Sequence, residues 1–97
     1  MESINWTVEL NKSSEKQKFK LPDKVRDLLN FLAKEIELKG PIRSNWKNFS
    51  KLKGKIDDYH CHLKSGKPTY VACWKVINKK SKIIEVYYVG THENAPY

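Results

Sequence analysis

The stretch Asp58–Pro68, DYHCHLKSGKP, decides the fold. Apolar and polar residues alternate along its first half, and a period of two predicts a half-buried β-strand. The turn-forming sequence SGKP follows, and then the β-branched and aromatic run TYVACWKVI, residues 69–77. Two such runs joined by a short polar connection predict an antiparallel β-hairpin. The hairpin carries two imidazoles, His60 and His62, two residues apart on one strand.

The expected pairing of this hairpin follows from a four-residue loop. Such a loop places Lys64 opposite Thr69, so the two histidines face Val71 and Cys73 on the next strand. The core side is then formed by alternate residues that pair Leu63 with Tyr70, Cys61 with Ala72, and Tyr59 with Trp74. The opposite face of the first strand is predicted to present His60, His62 and Lys64 together.

The remaining segments predict a small α+β domain. A third strand, KIIEVYYVGTH (82–92), completes an antiparallel meander, and alternation over Ser3–Leu10 predicts an N-terminal strand. Helical spacing of Val25, Leu28, Leu29, Leu32 and Ile36 predicts a helix from near Pro22 to Gly40. Asn11–Lys20 is expected to be an exposed loop or a frayed helical turn, and Pro41–Lys55 a short helical turn or a packed loop. The whole chain, 1–97, is expected to be a single domain in which an antiparallel sheet packs against one or two helices.

Composition restricts the class of partner. The net charge is +8, and of 19 lysine and arginine residues only Arg26 and Arg43 are arginine. This excess favours a polyanionic partner such as RNA or the ribosome, although a basic protein without such a partner has the same composition. Two cysteines form no disulfide framework, and no run of residues has the length and apolarity of a secretory signal or a membrane span. A cytoplasmic protein without a membrane partner is expected.

The order of elements and several short motifs resemble the RelE superfamily of toxins from bacterial type II toxin–antitoxin pairs. RelE has a Tyr-Lys-x-Lys-Leu strand where this chain has YHCHL (59–63), and then a Tyr-Arg-x-x-Tyr strand where this chain has YVACWKV. The ending VGTHENAPY, residues 89–97, is similar to the Gly-Thr-His tail of YafQ-type toxins, which close on an aromatic residue. The motifs cover residues 52–97, and the element order covers most of the chain.

The resemblance implies a site and a function. The two strand lysines of RelE fall on His60 and His62, the basic residue after Val-Gly falls on His92, and the tail aromatic falls on Tyr97. The implied activity is ribosome-dependent endonucleolytic cleavage of messenger RNA, which inhibits translation and needs a cognate antitoxin as partner. One departure is that the RelE strand arginine falls on Val71, which cannot contact a phosphate electrostatically.

Imidazole suits this chemistry because its pKa, about 6.5, lies near the operating pH. Cleavage without a metal or other cofactor uses the 2′-hydroxyl of the RNA as nucleophile, so the protein must accept one proton and donate another. His62 and His92 are expected to form this pair with His60 assisting, while Tyr97 orients the 2′-hydroxyl or stacks on a base. Lysines are expected to contact phosphate and stabilise its developing charge; the candidates are Lys53, Lys55, Lys64, Lys67 and Lys75.

Other interpretations remain open at the level of the sequence. His60 and His62 are otherwise ordinary polar residues of an exposed strand face. Glu93 is either catalytic or a surface residue, and the surface interpretation is favoured. His60, His62, Cys73 and His92 could hold zinc, but no ligand-spacing signature supports this. A ParE-like toxin that binds DNA gyrase, and a non-catalytic RNA- or protein-binding module suggested by Val71, are the competing functions.

Overall fold

The computed structural model describes residues 5–97. The order of elements is strand, two helices, four strands and a final turn of 3₁₀-helix. Their bounds are β1 Thr7–Leu10, α1 Lys12–Phe19, α2 Asp23–Lys39, β2 Ser50–Lys51, β3 Asp58–Lys64, β4 Tyr70–Asn78, β5 Ile83–Thr91 and the 3₁₀ turn His92–Asn94.

The five strands form one sheet in the order β1-β5-β4-β3-β2. The predicted α+β class and the antiparallel meander of β3, β4 and β5 are confirmed. The sheet is mixed rather than wholly antiparallel, because β1 runs parallel to β5. Short hairpin loops force antiparallel pairing, whereas β1 and β5 are joined only through the rest of the chain and are free to run in the same direction. Within residues 5–97, neither helix has the length and apolarity needed to cross a membrane.

One face of the sheet packs against α2 to form the main core. The predicted helix is confirmed: it begins after Pro22 and ends before Gly40, whose φ of +94° suits glycine. Its apolar stripe is buried except for the partly buried Leu28, and the core-side residues of β3 and Trp74 of β4 are buried with it. Val8 and Leu10 of β1, and Trp6 just before it, pack against this core as predicted. Ser3 and Ile4 of the predicted N-terminal strand lie outside the described residues.

The segment expected to be a loop or frayed turn instead contains the regular helix α1. Helix α1 has no apolar stripe that a sequence pattern could show, because hydrogen bonds rather than apolar contacts attach it to the sheet. The Asn11 side chain caps its first turn by accepting a hydrogen bond from Ser14 N at 2.8 Å. The Ser14 hydroxyl donates to the Val86 carbonyl at 2.7 Å, and Val89 N donates to Gln17 Oε1 at 3.0 Å.

Replacing Ser14 with alanine is expected to lower the free energy of unfolding by about 0.5–1.5 kcal/mol, because a buried hydrogen bond is lost while the Val86 carbonyl still accepts from Asn11 N at 3.3 Å. Ser14 is fully buried, whereas its neighbour Ser13 is exposed and provides a matched control. Urea unfolding of both alanine variants measures the difference. Equal midpoints for the two variants would show that the Ser14 hydrogen bond contributes nothing.

The segment 41–57 is a packed loop, one of the two predicted alternatives, and it adds the short strand β2 that the sequence did not indicate. Trp46 Nε1 donates to Glu35 of α2 at 2.9 Å. The Phe49 ring stacks on Tyr59 at a centroid distance of 5.7 Å. These contacts attach the loop to both layers and bring β2 alongside β3, where Ser50 pairs with His60.

The predicted hairpin register is confirmed from Tyr59 to His62 and fails at its end. His62 pairs with Val71, but Lys64 pairs with Tyr70 rather than Thr69, because the strand is irregular between His62 and Lys64. Thr69 has other partners: its hydroxyl bonds to both backbone groups of Gly66, and its carbonyl accepts from His92 N at 2.8 Å. An extra residue in one strand moves the residues beyond it to the other face.

Candidate active site

The open face of the sheet brings the three histidines and the tail tyrosine together. The His62 and His92 rings have a centroid distance of 5.4 Å and meet edge to face. The Tyr97 ring lies 4.5 Å from His60 and 6.0 Å from His92, and His60 lies 6.1 Å from His62. We call His60, His62, His92 and Tyr97 the histidine cluster. Residues as far apart in sequence as His60 and Tyr97 meet here because the C-terminal end of β5 lies beside the hairpin loop.

A small apolar layer supports the histidine cluster. Val71, Cys73 and Tyr88 are buried together beside it, with Val71 opposite His62 and Cys73 opposite His60, and Ala95 of the tail packs against them. The Tyr88 hydroxyl donates to the Thr91 carbonyl at 2.7 Å, just before His92. Gly90 leaves room for this ring, because a Cβ at position 90 would lie 2.8 Å from the Tyr88 hydroxyl and would displace the ring. The backbone that carries His92 is therefore fixed from two sides, by Tyr88 and by Thr69.

Val71, at the position of the RelE arginine, is fully buried in this layer. The side chain at the position that the resemblance would place against a phosphate instead belongs to the apolar layer beside the histidine cluster. Any phosphate contact must come from elsewhere in the site.

Two residues of the 41–57 loop that the sequence did not indicate contact the histidine cluster. The Ser50 hydroxyl and His60 Nδ1 lie 3.1 Å apart, within hydrogen-bonding distance. The Lys47 carbonyl accepts from His62 N at 2.8 Å, and the Lys47 charge acts on the His62 ring. No sequence spacing could have indicated these contacts, since they depend on how the loop packs.

The environment of the cluster favours the neutral form of its two strand histidines. Burial, reinforced by the neighbouring His62, lowers the pKa of His60. Burial and then the charges of His92 and Lys47 lower the pKa of His62. Burial raises the pKa of Tyr97 to about 12, so its phenol remains a hydrogen-bond donor at neutral pH. A neutral imidazole that faces a second imidazole is suited to accept a proton near pH 7.

NMR titration of the ring nitrogens is expected to give midpoints for His60 and His62 below the usual value of about 6.5. Because protonation is then weaker in the folded than in the unfolded state, stability is greatest above about pH 6.5 and falls as the pH drops towards the folded-state pKa values. Lys47→Gln should raise the His62 midpoint, and Lys53→Gln, which removes an exposed charge farther along the loop, should not. Midpoints at or above 6.5, or equal effects of the two lysine variants, would contradict this assignment.

Further polar side chains are buried on the same face of the sheet, next to His60. Asp58 is buried, and its Oδ1 accepts from the Tyr87 hydroxyl at 2.6 Å. Burial raises the pKa of Cys73 to about 12, so its thiol stays protonated. Among residues 5–97, no group of three or more His, Cys, Asp or Glu side chains has an arrangement that could hold a metal ion.

The five candidate lysines have different positions. Lys67 lies in the loop beside His92. Lys53 and Lys55 are exposed between β2 and β3. Lys75 pairs with Asp58, about 13 Å along β4 from Val71. It also forms an ion pair with Glu85 at 3.8 Å and lies over the Tyr87 ring.

The prediction that Lys64 shares the histidine face was wrong. Lys64 lines a cleft on the helix side of the sheet, together with residues of α2 such as Leu28 and Phe31. The irregularity after His62 is the reason, because it places both Leu63 and Lys64 towards the helix layer.

Solved structures of toxins share this fold. A free, arginine-substituted form of the Escherichia coli toxin RelE matches with a TM-score of 0.74 and 25% identity, over 95% of this chain and 88% of that one. RelE in the intact E. coli RelBE toxin–antitoxin complex matches with a TM-score of 0.70 and 26% identity, over 88% of this chain and 94% of that one. An archaeal RelE–RelB complex from Pyrococcus horikoshii, at 20% identity and a TM-score of 0.68, shares the fold over 95% of this chain and 100% of that one.

No family model matches the sequence, and no curated protein matches it. The fold is nevertheless shared over nearly the whole chain, with about a quarter of the residues identical to E. coli RelE. The chain therefore has a RelE-like fold, and over most of its length it is similar to the toxins of RelBE toxin–antitoxin pairs.

Proposed function

We propose that this chain is a ribosome-dependent messenger-RNA endonuclease, an mRNA interferase that inhibits translation in the cytoplasm. The observation that carries the proposal is the contact between His62 and His92, whose ring centroids lie 5.4 Å apart on an otherwise open protein face. Two imidazoles at this separation can act on opposite sides of one phosphodiester. The net charge of +8 supports a polyanionic substrate.

The proposed reaction divides two proton transfers between these histidines. One imidazole accepts the proton of the 2′-hydroxyl, which attacks the adjacent phosphorus, and the other donates a proton to the departing 5′-oxygen. The products are a 2′,3′-cyclic phosphate and a 5′-hydroxyl. His62, with its lowered pKa, suits the role of base, and His92 then supplies the acid. The transfers require no metal because one imidazole accepts a proton and the other donates one.

Supporting residues act on orientation and charge. Tyr97, which contacts both His60 and His92 with its ring, orients the 2′-hydroxyl or stacks on a base. Lys67 is the candidate lysine beside His92 and is proposed to contact phosphate, together with the exposed Lys47. Lys53 and Lys55 are proposed to contact ribosomal RNA farther from the scissile bond. Lys75 is already paired with Glu85 and makes a smaller contribution.

A cognate antitoxin is the proposed protein partner. The RelE chains of the E. coli and Pyrococcus horikoshii structures are in complex with RelB, and this chain shares their fold. An acidic or amphipathic segment would complement the basic surface.

The valine at position 71 favours a second candidate function, that of a non-catalytic RNA- or protein-binding module. The arginine that would stabilise phosphate charge is replaced by a fully buried valine. In this alternative the histidines bind RNA without cleaving it.

Incubation of the purified protein with a message, alone and bound to ribosomes, separates the candidates. Mapping of 5′ ends by primer extension should show discrete cuts on the ribosome-bound message and none on the free message. Binding without cuts would support the non-catalytic module. Inhibition of gyrase supercoiling without cuts would support a ParE-like toxin.

A further inference from the structure

His60 is the most buried ring of the histidine cluster, with 9% of its surface exposed. Its Nδ1 lies 3.1 Å from the Ser50 hydroxyl, and the Tyr97 ring packs against it at a centroid distance of 4.5 Å. The proton transfers proposed above do not use Ser50. The contact between Ser50 and His60 therefore needs an explanation of its own.

The backbone holds Ser50 in place although its side chain is exposed. Strand β2 pairs with β3 at Ser50 and His60. Backbone hydrogen bonds flank this pair, one from His62 N at 2.8 Å and one from Leu52 N to the Asp58 carbonyl at 2.7 Å. The hydroxyl of Ser50 therefore meets the imidazole in a fixed position.

The partner of Nδ1 decides what the other ring nitrogen can do. A neutral imidazole has one N–H and one bare nitrogen, and burial, reinforced by His62, favours the neutral form of His60. A serine hydroxyl can accept a hydrogen bond from a protonated Nδ1 or donate one to a bare Nδ1. These two arrangements present opposite groups at Nε2, which lies at the end of the ring farther from the strand.

The backbone of Ser50 distinguishes the two arrangements. Within residues 5–97, the hydrogen-bond partners of the His60 ring both belong to Ser50, one from its side chain and one from its backbone. Burial lowers the pKa of His60, and the hydrogen bond from the ring to the Ser50 backbone opposes that effect. A backbone carbonyl only accepts, so this bond requires an N–H on the ring. Because Nδ1 is the nitrogen that faces Ser50, Nδ1 carries the proton and Nε2 keeps its lone pair.

We infer that Ser50 is a positioning residue that sets the tautomer of His60, with Nδ1 protonated and Nε2 presented as a hydrogen-bond acceptor at the active face. The consequence for cleavage rests on the proposed nuclease function. An acceptor beside His62 suits the 2′-hydroxyl, which must give up its proton in the reaction. His60 then holds this hydroxyl for proton transfer to His62. The opposite tautomer would present an N–H there, which cannot accept from the hydroxyl.

The nitrogen NMR resonances of the His60 ring test the inference without RNA, because protonated and bare ring nitrogens have well-separated shifts. Above the His60 titration midpoint, the wild-type protein should show a protonated Nδ1 and a bare Nε2. Ser50→Ala should shift the population towards the other tautomer, and Ser50→Thr, which keeps the hydroxyl, should restore the wild-type pattern. Ser44→Ala, the same change at an exposed serine of the 41–57 loop, should leave the pattern unchanged. Urea midpoints show whether the variants are folded.

Cleavage of a ribosome-bound message measures the consequence of this positioning. Ser50→Ala should lower the rate by about 2–10-fold, the effect of one hydrogen bond, and Ser50→Thr should restore it. Ser44→Ala should cleave at the wild-type rate.

A bare Nδ1 in wild-type His60, or unchanged ring resonances in Ser50→Ala, would overturn the inference. The two proposals fail separately. If the wild type cuts messages while Ser50→Ala keeps the wild-type tautomer and rate, Ser50 is not a positioning residue and the nuclease proposal stands. If the tautomer responds to Ser50 as expected but no message is cut, the nuclease proposal fails and the assignment of the tautomer stands.

Discussion

Replacing His62 with alanine is expected to lower the rate of message cleavage by about 10²–10⁴-fold, the usual contribution of a positioned acid or base. His62 projects from the middle of β3, contacts the His92 ring and has a pKa lowered towards the neutral form. His92→Ala should cause a loss of the same order. The double variant should lose little more than either single variant, because groups that act as a unit are not additive.

Folding provides the control for this prediction. His62 is half-buried and His92 is exposed, so both alanine variants should unfold near the wild-type midpoint. His60→Ala should reduce cleavage less, since His60 is buried behind Ser50 and Tyr97 and is proposed only to assist. Cleavage at the wild-type rate by folded His62→Ala and His92→Ala proteins would refute the assignment of the proton-transfer pair.

Replacing Trp74 with alanine is expected to lower the free energy of unfolding by about 3–5 kcal/mol, a large part of the stability of a domain of this size. Trp74 is fully buried, and its ring lies 6.0 Å from Phe49 and 6.3 Å from Tyr59. Its Nε1 donates to the Pro41 carbonyl at 3.1 Å, which attaches the start of the 41–57 loop to the sheet. The substitution therefore removes both core volume and a contact of the loop that positions Ser50.

Ile77→Ala provides the matched control for Trp74, because it shortens a half-exposed side chain on the same strand. Its effect should stay within about 0.5 kcal/mol. Urea unfolding followed by circular dichroism measures both variants. Similar losses for the two would show that burial at Trp74 does not determine the stability of the sheet.

Alternation and spacing were sufficient to predict the elements that bury an apolar face. The β3–β4 pairs from Tyr59 to His62 followed from alternation together with a four-residue loop: alternation places Tyr59, Cys61 and Trp74 on the core face, and the loop length selects their partners. The stripe of α2 followed in the same way.

The elements missed by sequence reasoning are those fixed by polar contacts. Helix α1 lacks an apolar stripe and is held by Ser14 and Gln17 through hydrogen bonds to β5. Strand β2 has two residues, too few for any pattern. The irregularity after His62 depends on Thr69 bonding to Gly66 and His92 instead of β3, and this displaced Lys64 from the predicted site.

Candidate site residues could be predicted where strand geometry brings them together. His60 and His62 share a face by alternation, while the positions of His92 and Tyr97 came only from the resemblance to the RelE superfamily. Their contact depends on β5 ending beside the β3–β4 loop and on the Tyr88 and Gly90 packing that directs the tail. The contacts of Ser50 and Lys47 with the histidines could not be predicted, because these residues lie in a loop whose sequence has no periodic pattern.

The most direct test of the central claim is the chemistry of the RNA ends on a ribosome-bound message. Wild-type protein should produce discrete cuts that carry a 2′,3′-cyclic phosphate and a 5′-hydroxyl, and the His62→Ala/His92→Ala double variant should produce none while remaining folded. Cuts that persist in the folded double variant, or that carry a 3′-hydroxyl, would contradict histidine-dependent attack by the 2′-hydroxyl.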